Sequence, residues 1–283
     1  MAFKHVDQSS SINEVPNRNR PLRVKILKKL LIGFTFLVAL VVVAAAGTEI
    51  YSHHEKSVAA DAAAQVQKDF GQKHLDQKSI ANNKQADEKY AYGGDNDGIP
   101  DDEKLNEYLN SPGTLTTWGE AGTYAQDGLK NPITALPINE GVSNKVLASG
   151  WGTVDPGYKM GGNDNFLGAH NFADRVTYAS PLQDINVTKE PTFYQTDGKK
   201  VYTYKLTKKQ TINVVKHNDQ YAKAVEPTGT KRIVLITCDE PTMIANLRPE
   251  NRIIVSGELT NVQNLKDAPE KVQNIFPQFK KGA

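Results

Sequence analysis

Leu30 to Gly47 reads LLIGFTFLVALVVVAAAG, eighteen residues without a charge, and no other feature divides the chain so sharply. In a helix rising 1.5 Å per residue the run reaches roughly 27 Å, close to the roughly 30 Å of a bilayer's hydrocarbon core. Arg18, Arg20, Arg23, Lys25, Lys28 and Lys29 crowd the end of the polar segment before it. Cations on that side keep the N-terminus in the cytoplasm and send the C-terminal bulk of the chain across the membrane. Ala44-Ala45-Ala46 would also satisfy the cleavage rule of a signal peptide, but the run exceeds the roughly 7–15 residues of a signal core. The sequence therefore predicts a basic cytoplasmic tail over 1–29 and an uncleaved single-pass anchor over 30–47. The rest of the chain is extracellular on either reading.

Beyond the anchor, 48–113 is dominated by Ala, Gln, Lys, Asp and Asn. Val58, Ala62, Val66 and Phe70 recur every four residues, the spacing of one weakly amphipathic helix. Too little here is apolar to bury a core, so a solvated stalk, part helix and part flexible chain, is expected. Gly94 to Glu103 has the flavour of a calcium loop. Setting Gly98 at the loop glycine, however, puts Gly93 where the first Asp belongs and Lys104 where the bidentate Glu belongs. It reads as a solvated acidic turn.

From Leu115 the texture changes to short β-prone runs between turn signals. Ile133–Ile138, Lys145–Ala148, Asn165–Ala169, Arg175–Ala179, Gln210–Val215, Arg232–Thr237 and Arg252–Leu259 are candidate strands. Asp197-Gly198 between Phe193–Thr196 and Lys199–Leu206 is a hairpin signal, because the tight turn needs positive φ. Val201 to Leu206 alternates with the period of a half-buried strand. Many short strands at regular spacing predict an all-β barrel or sandwich. Ser180 to Ile185, with Ser180 as N-cap and Pro181 in the first turn, predicts one short helix among them.

The chemistry-bearing residues are few. Net charge is only +2, and the basic residues outside the N-terminus are scattered, so no nucleic-acid stripe exists. Cys238 is the only cysteine, which excludes an internal disulfide, and no zinc-ligand spacing occurs. Ile233-Val234-Leu235-Ile236 is apolar on both faces and predicts a buried central strand, with Cys238 at its end before the polar Asp239-Glu240-Pro241. Such a thiol is either a small core residue or a nucleophile at the mouth of the fold. A nucleophile needs a base. Of six histidines only His170 and His217 lie in the β region. His170 ends the apolar Phe166-Leu167-Gly168-Ala169 and is the better candidate, against the plain reading of a structural strand-end histidine. His217 reads as part of a solvated loop. Arg248 and Arg252 follow closely and could stabilise an oxyanion, or could be ordinary sheet-edge arginines.

Three stretches in order, L-G-A-H ending at His170, L-I-T-C ending at Cys238 and R-I-I-V opening at Arg252, resemble the sortases, cysteine transpeptidases of Gram-positive cell surfaces. The resemblance covers Thr114 to Leu265, and Val234 departs from the first Thr of the family's cysteine motif. It implies an eight-stranded β-barrel with short helices over 114–265, and then a tail over 266–283. It also implies roles: Cys238 as nucleophile, His170 as general acid/base, and Arg252, preferred to Arg248, as stabiliser of substrate and oxyanion. Gly168, Ala169, Ile236, Thr237 and Ile254 would bind substrate, and Lys216 to Thr230 would hold the loop shaping the groove. The implied reaction cleaves an LPXTG-type sorting signal between Thr and Gly through a thioacyl intermediate. It then passes the surface protein to an amine of a lipid II-type peptidoglycan precursor at the membrane. The chain ends in Lys280-Lys281-Gly282-Ala283 without a second apolar span, which resembles the housekeeping class A group. Thr153 to Asp164 lacks the paired glutamates with which some class A members bind calcium, so no cofactor is expected. Two rival readings remain: a secreted cysteine protease, and a non-enzymatic anchored β module binding cell-wall components.

Overall fold

The computed structural model describes residues 102–172, 174–239 and 249–280, together with Val41, Val42, Asp61, 63–65 and Lys68. The expected cytoplasmic tail, nearly all of the anchor, most of the stalk with its acidic turn, and Arg248 lie outside the described residues. No helix among the described residues is long and apolar enough to cross a membrane. The chain divides into two compact units, Met1–Ile50 and Tyr51–Ala283, and the β domain belongs to the second.

Eight strands close into a barrel in the order β1-β2-β3-β4-β7-β8-β6-β5. They are β1 (Thr117–Gly122), β2 (Leu136–Asn139), β3 (Trp151–Thr153), β4 (Asn165–Gly168), β5 (Thr192–Thr196), β6 (Lys200–Asn213), β7 (Arg232–Cys238) and β8 (Asn251–Asn264). Closure removes the free sheet edges that an open sheet would present for aggregation. Most neighbours are antiparallel, but β2–β3 and β4–β7 are parallel. A parallel pair needs a crossover, and β2 and β3 obtain theirs from the helix α2 (Asn144–Ser149).

That helix corrects the strand expected over Lys145–Ala148. The Ser143 hydroxyl accepts from the Val146 N–H at 3.4 Å, and the helix buries Val146 and Ala148. The N-cap outweighs a β-prone run too short to assert itself. Arg175–Ala179 is likewise a turn: Arg175 and Tyr178 hold φ of 64° and 52°, and only an isolated bridge joins Tyr178 to Asn171. The expected short helix exists as a 3-10 turn, Ser180–Asp184, capped one residue earlier at Ala179. The runs Lys199–Leu206 and Gln210–Val215 merge into the single β6, whose pairing with β8 shifts register between Leu206 and Lys208. β1 and β3 were not expected from sequence.

The boundary of the expected stalk also moves. Helix α1 (Asp102–Asn110) packs on α2 and leaves Leu105 only 1 % exposed in the main core. Burying one leucine is worth about 2 kcal/mol, so 102–110 belongs to the folded domain and is not solvated linker. Ala63 is buried in the same core. The barrel interior is filled by Trp151, Leu167, Phe193, Tyr204, Ile233, Leu235 and Val255. After β8 the chain turns back as two single-turn helices, α4 (Glu270–Gln273) and α5 (Pro277–Lys280). Val272, Ile275, Phe276 and Phe279 join Tyr194 and Val201 in a second cluster.

Candidate active site

Side chains alternate across a strand, so β7 serves two environments. Ile233 and Leu235 point into the barrel core, which assigns Val234, Ile236 and Cys238 to the other face. Val234 and Ile236 gather there with Phe166 of β4, Ile254 of β8 and Ile212 of β6. A helix not expected from sequence, α3 (Asn218–Ala224), covers part of this face with Tyr221 and Ala224, joined by Val225 just past its end. Their i, i+3, i+4 spacing is the signal that could have revealed the helix.

Register pairs two of the three expected residues directly, and the third follows the end of the neighbouring ladder. Cys238 is the direct antiparallel partner of Arg252, so both side chains rise on the same face. The parallel β4–β7 ladder pairs Gly168 with Ile236 and closes with the Ala169 N–H on the Ile236 carbonyl at 3.2 Å, so His170 and Cys238 each lie two residues past the last pair. The Asn171 side-chain Nδ2, next in sequence to His170, donates to the Cys238 carbonyl at 2.5 Å. Arg252 is half-buried, and its Nη1 donates to the carbonyls of Pro249 at 2.5 Å and Asn251 at 3.2 Å.

His170 is 6 % exposed, its ring meets Phe172 edge-on at 6.1 Å, and its Nε2 has no hydrogen-bond partner. Burial without a nearby anion penalises the imidazolium, and the pKa falls to about 4. The ring is therefore neutral at pH 7. Tyr221 lies within electrostatic reach of Arg252, Asp155 and Cys238; burial is the main cause raising its phenol pKa.

Of the residues expected to bind substrate, Gly168, Ile236 and Ile254 lie on the same face as Cys238. Ala169 and Thr237 do not: they point inward, where the Thr237 hydroxyl donates to the Ala169 carbonyl at 2.8 Å. That bond ties β4 to β7 immediately before the two candidate catalytic side chains.

An open cleft of about 930 Å³ adjoins this cluster at Val154, Phe166 and Val225, and Asp155, Lys223 and Glu226 also line it. A residue not singled out from sequence holds its wall. Asp164, in the left-handed conformation at φ 47°, accepts from the Arg232 Nε at 2.5 Å and from the backbone N–H groups of Thr228 and Gly229 at 2.9 and 2.5 Å. Its own N–H donates to the Thr230 carbonyl, and Arg232 lies over the Phe166 ring at 5.6 Å. Burial opposes the charge of Asp164, but these donors outweigh it and hold the carboxyl below its ordinary range. Among the described residues no cluster of acidic, histidine or cysteine side chains could hold a metal.

Residues 130–260 match the sortase-domain family. YwpE of Bacillus subtilis, described as a sortase, is 33 % identical over 103 residues, covering 36 % of this chain and 89 % of that protein. Sortase A of Streptococcus agalactiae is 30 % identical over 147 residues, half of this chain and 54 % of the relative. The chain thus spans about half the length of that relative. The crystal structure of Listeria monocytogenes sortase A aligns at 22 % identity over 56 % of this chain and 96 % of that one, with a TM-score of 0.44. The chain belongs to the sortase family, and the name sortase A is consistent with the class A resemblance.

Proposed function

We propose that the protein is a membrane-anchored cysteine transpeptidase acting on LPXTG-type sorting signals. The observation that carries the reading is the Cys238–Arg252 cross-strand pair at the end of an apolar strand face, with His170 just past the β4–β7 ladder and its neighbour Asn171 bonded to the Cys238 carbonyl. From Val234 to Cys238 the strand runs roughly 13 Å at about 3.3 Å per residue, the span of an extended peptide of four or five residues.

Neutral His170 takes the Cys238 proton as the sulfur attacks the Thr carbonyl carbon. Arg252 faces the oxyanion that develops there. Collapse breaks the Thr–Gly bond, and the imidazolium returns its proton to the departing glycine amine, leaving a thioester on Cys238. An incoming amine, supplied by a peptidoglycan precursor, loses a proton to His170, attacks the thioester and restores the thiol. The apolar run 30–47, with its preceding cations, would keep this chemistry on the outer membrane surface. Surface proteins bearing the signal are the proposed acyl donors.

The test incubates the detergent-solubilised full chain with an LPXTG peptide and a glycine-based amine, with products read by mass spectrometry. The amine-linked product is expected with the parent, and none, a loss of more than about 10³-fold, with Cys238→Ala. Hydrolysis without transfer in the presence of excess amine, or turnover by Cys238→Ala, would refute the proposal.

A further inference from the structure

The last backbone bond of the β4–β7 ladder carries the Ala169 N–H to the Ile236 carbonyl at 3.2 Å. Parallel ladder bonds recur every second residue, so regular pairing would next send the Asn171 N–H to the Cys238 carbonyl. The chain instead turns away. The Ala179 N–H donates to the His170 carbonyl at 3.1 Å, Asn171 bridges Tyr178, and the Phe172 N–H donates to the Ser180 Oγ at 2.7 Å. The missing donor comes from a side chain, the Asn171 Nδ2 that reaches the Cys238 carbonyl.

Asn171 is fully buried, and its second polar atom is used as well: Oδ1 accepts from Gln183 Nε2. Gln183 is held in turn, its carbonyl accepting from Lys209 Nζ at 2.6 Å. This position needs a donor on one side and an acceptor on the other, at a reach of two side-chain carbons. A carboxamide meets that need, whereas an ionised carboxylate cannot donate and a hydroxyl is too short.

We propose that Asn171 is a positioning residue for the Cys238–His170 pair. It lengthens the last rung of the ladder by one side chain. β4 can then part from β7 beyond Ala169, making room for thiol, imidazole and a bound acyl group, while the Cys238 main chain stays fixed. The inference rests on the reading of Cys238 as nucleophile and goes beyond it by assigning the geometry of the pair to a third residue.

The test uses Asn171→Ala and the isosteric Asn171→Asp in the full chain, with two readouts. One is kcat and KM for transpeptidation from pH 5 to 9. The other is the rate of Cys238 alkylation by iodoacetamide over the same range, which needs no substrate. Misplacing a reacting group by an ångström costs up to about 100-fold, so Asn171→Ala should lower kcat about 10- to 100-fold with KM nearly unchanged, and should displace the alkylation profile. Asn171→Asp should show the same loss at pH 8 and recover several-fold relative to the parent towards pH 5, where a protonated carboxyl regains an O–H donor. Equal losses in both variants at every pH, a change confined to KM, or parent-like alkylation profiles would overturn the proposal. A parent that gives no transfer product sinks the functional reading instead, and the alkylation profiles still decide on Asn171.

Discussion

The two ends of the β4–β7 pair share one ladder and one apolar face yet are finished in opposite ways. At the Asn165–Ile233 end, Asp164 uses both carboxylate oxygens on Arg232, Thr228 and Gly229. At the Gly168–Ile236 end, pairing stops short and His170 keeps a buried Nε2 with no partner. A buried polar atom without a bond costs about 1–3 kcal/mol, so the second end carries a cost that the first avoids. The clipped end fixes a wall, and the other leaves an unused ring nitrogen, the capacity that the proposed reaction would draw on. On the proposed reading, rigidity and reactivity are separated by about 20 Å of strand, the six steps from Arg232 to Cys238.

The strongest way to break this comparison is at the reactive end. Arg252→Ala should lower kcat/KM about 10²- to 10³-fold, the usual loss of an oxyanion donor, while leaving the thermal midpoint near the parent's. Steady-state kinetics beside a melting curve would check both parts, and a change in KM alone would deny Arg252 a role in the chemical step.

Next in size is the cost of burying His170. Its ordinary pKa of 6.5 falls to about 4 on folding. Between those values the unfolded chain binds the proton and the folded chain does not. Stability is therefore complete above pH 6.5 and is lost as pH falls towards 4, by roughly 3 kcal/mol in full. His170→Gln should flatten that acid limb in urea titrations. An unchanged slope would mean the imidazole is not held neutral.

The clipped end should respond more mildly and in a different parameter. Asp164→Ala should raise KM for the sorting peptide about tenfold and change kcat little, with about 2 kcal/mol of stability lost with the charge-assisted bonds. Because Arg232 already neutralises Asp164, a chelator should leave turnover unchanged. Calcium-dependent turnover would show that the clip does not set the wall.

Legibility from sequence tracked the range over which each feature is determined. β7 and the β5–β6 hairpin could be read because their signals are local: an apolar run in one case, alternation around Asp197-Gly198 in the other. β1, TWGEAG, and β3, WGT, are too short or too glycine-rich to alternate. Cys238, His170 and Arg252 stood out by residue type and order. Asn171 and Asp164 did not stand out, because their partners lie more than sixty positions away. The same distance hid the inward turn of Ala169 and Thr237, which register with β4 decides.

The tie between Thr237 and Ala169 joins positions 68 apart in the chain. Loop closure of that length comes late and slowly in folding, since its entropy must be met before its contacts form. Until that closure, the sulfur sits on a strand whose partner has yet to dock. On the proposed reading, acyl-transfer competence would arrive only with barrel closure, and a partly folded chain would carry a thiol without the apparatus to acylate it.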